Sequence, residues 1–240
     1  WYDCPRTDIS KAMNSTTLTP PDARNNGPLV DQAMRELERR FVTLQLAPGS
    51  VWSEASLSEL LDIGRTPVRE AIARMALDGL VTVMPRAGIV ISHISVENQL
   101  AVLETRRVLE APLSARAARK ATDEEREKLR AMADSIERAG DASDVRGYIH
   151  WHFEIKRFVA ACARNPYAER ALRPLHTLSQ RFYFAYHREF DNLPTVGRAH
   201  AELTRAIADG DEIRASSRSN LVSEIAENFT RDLLLSRGKS

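Results

Sequence analysis

Apolar residues recur at helical spacing in the N-terminal third of the chain. The segment "PLVDQAMRELERRFVTLQL" holds an apolar stripe and predicts a first helix, which "APGS" ends. The pattern resumes in "SEASLSELLDI" and again, after Gly64, in "TPVREAIARMALDG", so two more helices are predicted. "LVTVMPRAGIVIS" reads as two short β-rich runs around "PRAG", which predicts a hairpin. Helix, helix, turn, helix and hairpin, in that order, are the layout of a winged helix-turn-helix.

Capping signals and apolar positions define these elements further. Ser53 is expected to be an N-cap, with Ser56 three residues further on. Thr66 is expected to cap the third helix, and Pro67 to hold its first position, where the missing N–H costs nothing. The stripe of the first helix consists of Leu29, Ala33, Leu37, Val42 and Leu44. The expected small core of the remaining elements consists of Leu57, Leu60, Leu61, Val68, Ile72 and Leu80.

From Ser95 onward the sequence contains no convincing strand. Breaks at "KATDEE", "AGDAS", "RNP", "EFDNLP" and "DGDE" leave six predicted helices, approximately 96–118, 123–139, 143–163, 167–187, 196–208 and 211–235. Their apolar stripes can bury one another, which predicts an all-α bundle. The expected organisation is a flexible arm over residues 1–27, a winged helix-turn-helix domain over 28–93, a linker at "SHIS" and a helical domain over 95–236.

Composition narrows the class of protein. The 240 residues suffice for one large or two modest domains. A net charge of +1 gives no global basic signal, so any nucleic-acid surface must be a local patch. Cys4 and Cys162 fit no zinc-binding spacing, which favours free thiols in a reducing compartment. No apolar run approaches a membrane span or a secretory signal, so we expect a cytoplasmic protein without membrane partners.

Two arginines, Arg65 and Arg69, lie at the start of the third predicted helix, away from its apolar positions. A helix that enters the DNA major groove needs such cations, because a guanidinium group presents a bidentate fork to guanine. The alternative is a solvated helix face on which these arginines pair with Glu70 or Asp78.

These residues resemble a known family. "LSELLDIGRTPVREAIARMALDGLV…PRAGIVIS" resembles the DNA-binding domain of GntR-type bacterial transcription regulators. The second half resembles the FCD effector domain of the FadR branch in "ETRRVLEAPLSARAA", "YIHWHFEIKRFVAACARNP" and "AHAELTRAIADGD". The resemblance spans about residues 28–235, and six helices rather than seven resemble the VanR-like subgroup. It implies a mainly α protein, with an N-terminal winged helix-turn-helix and a C-terminal six-helix bundle.

The resemblance also implies which residues contact DNA. Arg65, Thr66 and Arg69 would serve the recognition helix, while Arg86 and Gly88 would bring the wing to the minor groove. The complete implied set is Ser53, Ser56, Arg65, Thr66, Pro67, Arg69, Arg86 and Gly88. The family often has a further arginine early in the second helix, where this chain has Ala55, so its operator is expected to differ.

The FCD domain usually holds a divalent metal on an Asp and a His four residues apart and on two later His residues. Aligned on "NP", the Asp position is His152 and the following His position is Lys156. His200 is retained, whereas the last position falls near Asn220 or Val222. Because a protonated lysine is not a metal ligand, the expectation is that the Lys156 ammonium replaces the charge of the metal and that no cofactor is needed.

A matching pocket arginine, Arg106, completes the implied effector site for a carboxylate or other oxyanion. Its residues are Arg106, His152, Lys156, His200 and Asn220. The alternatives are a zinc-like cation retained by His152, His200 and water, and a Lys156 side chain that reaches solvent.

Other residues of the second half receive ordinary interpretations. His150 and His152 lie on different helix faces, and His176 and His187 have no recognisable partner. Tyr183, Phe184 and Tyr186 favour packing over ligand binding, although an aromatic effector is favoured if they line the cavity.

The functional prediction is a homodimeric transcription regulator that binds a palindromic operator with one winged helix at each half-site. A small anionic metabolite would release it, which makes it a repressor, with a catabolic operon as the expected target. A metal-dependent FCD regulator is the main alternative. An enzyme with the His/Lys cluster as its acid–base pair is the weakest alternative, because no nucleophile motif or cofactor loop accompanies that cluster.

Overall fold

The computed structural model describes residues 27–187 and 192–237. The predicted N-terminal arm therefore lies outside the described residues, except for Gly27, which begins the first helix. No helix in the described part of the chain is long and apolar enough to span a membrane.

The N-terminal region, called the head below, has the predicted helices and one additional strand. Its elements are α1 (Gly27–Val42), β1 (Val51–Trp52), α2 (Glu54–Leu61), α3 (Arg65–Leu77), β2 (Val81–Met84) and β3 (Gly88–Ile91). The sheet is antiparallel in the order β1-β3-β2, with Val51 opposite Val90 and Val83 opposite Ile89. Sequence reasoning missed β1, because two residues are too few to show an alternating pattern.

The head buries most of its predicted core. Leu57, Val68, Ile72 and Leu80 are buried, but Leu60 is 37% exposed, so its assignment to the core is wrong. Leu60 is the second-last residue of α2 and lies on the side of the helix that faces solvent. Ala33, Leu37 and Val42 of the predicted α1 stripe are buried. Leu29 is exposed in the first turn of that helix, and Leu44 is half-buried beyond its end.

The caps of the two helices in the turn motif differ. The predicted N-cap at Ser53 is confirmed. It forms a capping box, because Ser53 Oγ accepts from the Ser56 N–H at 2.9 Å and Ser56 Oγ accepts from the Ser53 N–H at 3.0 Å. Thr66 as a cap is wrong: Gly64 is the N-cap of α3, without a side-chain hydrogen bond, and the helix begins at Arg65. Pro67 is consequently its third residue, still within the first turn, where backbone N–H groups have no intrahelical acceptor.

The C-terminal region is the predicted bundle. Its elements are α4 (Val96–Lys120), α5 (Asp123–Asp141), α6 (Val145–Ala163), α7 (Pro166–Ala185), α8 (Leu193–Ala208) and α9 (Glu212–Arg237). Buried apolar side chains from all six helices, from Leu113 to Val222, form one core. Helices α5 and α8 approach closely at Gly140 and Gly197, where an added Cβ would lie 3.0 Å from the opposite Cα. The predicted fold class is confirmed.

Helix α7 connects the bundle to the head. Arg173 ion-pairs with Glu38 on α1 at 3.0 Å and with Asp78, which follows α3, at 2.6 Å. One turn and a half further on, Leu178 packs against the core of the head. The position of the recognition helix is therefore tied to a helix of the bundle.

Candidate functional site

The first candidate surface lies at the N-terminal end of α3. Arg65, Thr66 and Arg69 are all exposed there. Arg69 does not pair with Glu70 or Asp78: its Nε and Nη2 donate to the Glu54 carboxylate at 2.9 and 2.8 Å. The hydrogen bond from Arg69 lowers the pKa of Glu54, so the pair is ionic. Exposed pairs of this kind are weak, so a DNA phosphate can compete with Glu54 for Arg69.

The hairpin between β2 and β3 carries a further exposed cation of the head. Arg86 is exposed at its tip with a φ of 66°, and Gly88 begins β3 with a φ of 111°. A Cβ at Gly88 would lie 2.7 Å from the carbonyl oxygen of Trp52. Glycine is therefore required there by the close approach of β1, in addition to any contact with DNA.

Three of the residues that the resemblance assigned to DNA contacts stabilise the head itself. Pro67 is buried in the core of the head, so its assignment as a DNA contact is wrong. Ser53 and Ser56 are accessible, but their hydroxyl groups are engaged in the capping box. Arg65, Thr66, Arg86 and the Glu54-paired Arg69 remain as the exposed groups of this surface that can meet DNA.

The second candidate site is a cavity inside the bundle, called the effector cavity below. It encloses about 790 Å³, open mouth included, and helices α4, α6, α7, α8 and α9 contribute to its wall. Its lining is mostly apolar, with a few polar groups: Arg106, Tyr148, His152, Gln180, Tyr183, His187, His200 and Ser223. A mainly apolar wall with few convergent polar groups is typical of a small-molecule site.

Arg106 is the cation of this cavity and is only 4% exposed. Its Nε donates to Glu110 Oε1 at 3.0 Å, and its Nη2 lies 2.9 Å from the same oxygen. Its Nη1 has no hydrogen-bond partner among the described residues. A buried guanidinium group thus keeps one donor unused beside an enclosed space, which is a position that an anionic ligand can fill.

Glu110, the partner of Arg106, makes two further contacts and thereby joins four buried residues in one network. Lys156 Nζ donates to its Oε2 at 2.9 Å, and His176 Nε2 lies 2.6 Å from its Oε1. Burial alone would raise the pKa of Glu110, but Arg106, Lys156 and His176 more than offset it, so the pKa lies well below its usual value. Glu110 is therefore an anion that balances the buried cations.

The network corrects the expectation for Lys156. Its ammonium group is 9% exposed, points to Glu110 and does not line the cavity. The Lys156 ammonium group therefore does not reach solvent and is not placed to contact a ligand in the cavity. Burial lowers the pKa of Lys156, while Glu110 opposes that shift. His176 is likewise not an ordinary packed residue, because its ring is a partner of Glu110.

His152 and His200 do line the cavity together. Their ring centroids are 4.7 Å apart, and the Tyr148 ring lies 6.0 Å from His152 and 5.9 Å from His200. Burial lowers the pKa of His200 to about 3 and, with His200 nearby, lowers the pKa of His152 well below its usual value. Both imidazoles are therefore neutral near pH 7, and each can offer an N–H to an anion.

Asn220 is not part of this cavity, so its assignment to the effector site is wrong. It borders a shallow depression on the other side of α9, with Ala115 and Glu212. The face of α9 that meets the cavity begins at Val222 and includes Ser223 and Ala226. The two candidate positions, Asn220 and Val222, are two residues apart and hence on different sides of a helix.

The three aromatic residues near the end of α7 lie in three different environments. Tyr183 lines the effector cavity, Phe184 borders the cleft between head and bundle, and the Tyr186 ring packs 4.8 Å from Phe182. Exposed His150 borders the same cleft as Phe184, on a helix face different from that of buried His152.

A divalent metal does not fit these residues. Within residues 27–187 and 192–237, no three His, Cys, Asp or Glu side chains are placed to hold an ion. His152 and His200 could supply two nitrogens, but the nearby carboxylate, Glu110, is already held by Arg106 and Lys156. The positive charges of Arg106 and Lys156 would also repel a metal cation.

Sequence reasoning missed two residues at the candidate effector site, Glu110 and Gln180. Glu110 follows Arg106 by four residues on one helix, and that spacing in "RRVLE" was a signal for an ion pair. Gln180, whose Nε2 lies 3.4 Å from His152 Nδ1, gave no signal, because an isolated glutamine in an amphipathic helix is usually exposed.

Comparison with known families decides the classification. A model of the FCD domain matches residues 101–221, half of the chain. A model described as "Bacterial regulatory proteins, gntR family" matches residues 29–91. The chain belongs to the GntR family of transcription regulators and carries an FCD domain. Both models describe parts of regulators, so this GntR protein is not an enzyme.

Individual relatives agree with the family. The Nta operon transcriptional regulator of Aminobacter aminovorans is 24% identical over 200 residues, which are 82% of this chain and 91% of that protein. The transcriptional repressor RspR of Escherichia coli is 32% identical over 96 residues, 40% of this chain and 42% of that protein. The E. coli McbR/YncC structure has a TM-score of 0.75 at 16% identity and covers 86% of this chain and 98% of its own, which shows a shared fold.

Proposed function

We propose that this GntR regulator is a repressor that binds a palindromic operator as a homodimer and is released by a small organic acid in the effector cavity. The observation that carries the proposal is the unused Nη1 donor of Arg106, a residue that lines a mostly apolar cavity. A carboxylate placed opposite Nη1 would accept its hydrogen bond and would supply a negative charge next to the buried cation.

The rest of the cavity favours an acid with an apolar body. The carboxylate would meet Arg106 together with the N–H groups of His152 and His200. Leu103, Ile149 and Val196 contribute to an apolar wall that suits a hydrocarbon or aromatic portion. Because neutral histidines become better anion partners when protonated, binding of the acid is expected to raise their pKa values and to take up protons.

No metal takes part in this proposal. The Lys156 ammonium already neutralises one oxygen of Glu110, and Arg106 neutralises the other. A metal-dependent regulator remains the rival. It requires about one tightly held zinc, nickel or manganese ion per purified chain, and elemental analysis distinguishes the two.

The DNA side of the proposal rests on the exposed groups of the head. Arg65, Thr66 and Arg69 would meet base edges and phosphates in the major groove, and Arg86 would meet the backbone or minor groove. A dimer would place two such heads on half-sites one helical turn apart. The name of the RspR relative, a repressor, supports the proposed direction of control.

Helix α7 offers the connection between the two sites. Gln180 and Tyr183 line the cavity, while Arg173 on the same helix holds Glu38 and Asp78 of the head. A ligand that favours a different placement of α7 would thereby change the placement of α3. Release by an organic acid suits an operon that degrades that acid, so a catabolic operon is the proposed target.

A paired screen tests the proposal. Carboxylic acids and their matching amides are compared by thermal shift, and hits are tested in a gel shift with the promoter fragment of the protein's own operon. We expect stabilisation and operator release by an acid and neither by its amide, with the acid recovered unchanged. The Arg106→Met variant should lose the thermal shift, whereas Arg107→Met, which removes an exposed arginine of the same helix, should keep it. Equal responses to acid and amide would overturn the proposal.

A further inference from the structure

A second buried arginine, Arg181 on α7, lies outside the effector cavity and is only 1% exposed. Its Nη1 donates to the Ser92 carbonyl oxygen at 2.7 Å and to Ser92 Oγ at 3.1 Å. Its guanidinium carbon lies 3.9 Å from the centre of the Phe41 ring. Ser92 and Phe41 both belong to the head or its linker, so Arg181 is placed between the two regions of the molecule.

Arg181 differs from Arg106 in having no anionic partner in the described part of the chain. Its Nε and Nη2 are buried, and no described protein atom accepts a hydrogen bond from either. Burial lowers the pKa of Arg181 to about 10, which still leaves it charged near pH 7. A buried charge without a partner is strongly destabilising, so a group that supplies negative charge here would be bound favourably.

A small cavity adjoins this side chain and is open to solvent at one side. With the space at its solvent-open side included, it measures about 360 Å³, and it is lined by Arg181 and, among others, by the polar residues His93, Ser95, Asn98 and Gln99. Helix α4, 25 residues long, begins at Val96 with Ser95 as its N-cap, so the positive end of its dipole faces this space. Backbone N–H groups at a helix start favour anions.

The acidic side chain of this helix turn does not provide the missing charge. Glu97 is exposed, accepts a hydrogen bond from Ser95 Oγ at 2.7 Å and is absent from the cavity wall. The Glu110 network lies around the other buried arginine, so it does not serve Arg181.

We propose that Arg181, the start of α4 and the linker residues form a second binding site, for a small oxyanion of the size of phosphate or a short carboxylate. The anion would accept hydrogen bonds from Nε and Nη2 of Arg181 and would be reached through the polar side of the cavity. Bound there, it fixes the linker Ser92–Ser95 to α7 and thereby stiffens the join between the head and the bundle. The site is independent of the effector cavity and of the proposed repressor function.

The test measures anion binding to the full chain. Inorganic phosphate, sulfate and acetate are titrated at constant ionic strength, with gluconate as the bulky reference anion, and the melting temperature and equilibrium dialysis of labelled phosphate are recorded. We expect saturable binding of about one phosphate or sulfate per chain and a parallel rise in melting temperature. A response to acetate equal to that of phosphate would assign the site to carboxylates, within the same proposal.

Two variants locate the anion. Arg181→Met should reduce phosphate affinity at least tenfold, whereas Arg170→Met, which removes an exposed arginine of the same helix, should leave it unchanged. Asn98→Asp avoids the risk of misfolding, because an acid in the first turn stabilises a helix. It should raise the melting temperature without phosphate and abolish the phosphate response, since the new carboxylate competes for Arg181.

Three results would overturn the proposal. They are the absence of saturable binding by any of the three anions, a phosphate response that Arg181→Met retains, and a response that Asn98→Asp leaves intact. A response lost only in Arg106→Met would place the anion in the effector cavity and would likewise remove this second site.

Discussion

Arg65 and Arg106 show how one residue type serves two regions of the same protein. Arg65 lies on the open face of α3 among exposed neighbours, whereas Arg106 is 4% exposed and shares Glu110 with Lys156 and His176. In the head, charge is kept free for a polyanion that arrives from solvent. Around Arg106, charge is balanced by Glu110, and one guanidinium nitrogen, Nη1, is left without a partner among the described residues. The role open to each arginine thus depends on whether acidic side chains of the protein already neutralise its charge.

The largest effect is expected from removing the internal balance. Glu110→Gln should destabilise the protein by about 3–5 kcal/mol, because Arg106 and Lys156 would be left buried without an anion. Urea unfolding measures the loss. The control Glu104→Gln, on the exposed face of the same helix, should change stability by no more than about 0.5 kcal/mol.

A double variant sharpens that result. If Glu110 acts by compensating charge, then adding Lys156→Met to Glu110→Gln should recover part of the stability, since one uncompensated cation is removed. Additive losses would contradict the view that these charges form one network.

The second effect concerns the open face of the head. Arg65→Ala should weaken operator binding by about 1–3 kcal/mol if it makes a bidentate base contact, with little change in stability. A gel shift with the operator and a thermal melt measure both. Arg74→Ala, which removes an exposed arginine at the other end of α3 that pairs with Asp31, is the control and should retain operator affinity. Equal losses in both variants would indicate general electrostatic attraction without base recognition.

A third, smaller effect is expected from pH and acts on the bundle alone. Burial lowers the pKa of His176 to about 4 and that of His200 to about 3, below the value near 6.5 of an unfolded chain. Below pH 6.5 these histidines bind protons in the unfolded chain but stay neutral in the folded bundle. The stability that these neutral histidines supply above pH 6.5 is therefore lost on acidification, by up to about 1.4 kcal/mol per pH unit for each histidine.

Urea unfolding at pH 7.5 and pH 5.5 measures that slope. His200→Gln, which keeps a polar group but does not titrate, should flatten it. A free energy of unfolding that is constant between these two values would mean that these histidines have the same pKa in the folded and the unfolded chain.

The smallest effect is expected at the exposed ion pair. Glu54→Gln removes the carboxylate that competes with DNA for Arg69, so operator affinity should rise, by no more than about fivefold because exposed pairs are weak. Affinity measured at several salt concentrations gives the result. A lower affinity would show that Glu54 positions Arg69 for DNA and does not compete for it.

Local patterns in the sequence determined most of the fold. The six helices of the bundle, the capping box at Ser53 and the hairpin follow from nearest-neighbour spacing and from turn residues, which act within a few positions of the chain. The helix position predicted Arg65 and Arg69 as candidate DNA contacts, and the family resemblance implied Arg106, His152 and His200, all three of which line the effector cavity. Sequence reasoning failed locally at the cap of α3, where the hydroxyl group favoured Thr66, whereas the helix begins at Arg65 with Gly64 as its N-cap.

Only the tertiary structure decided how charges are paired. Glu110 meets Lys156 and His176 across 46 and 66 positions of sequence, and Arg173 meets Glu38 across 135, so no local pattern contains these contacts. The same holds for Asn220 and Val222, whose side of α9 depends on how that helix packs. Periodicity shows which face of a helix is apolar, but a buried polar residue breaks the period, and its partner is fixed only when distant helices meet.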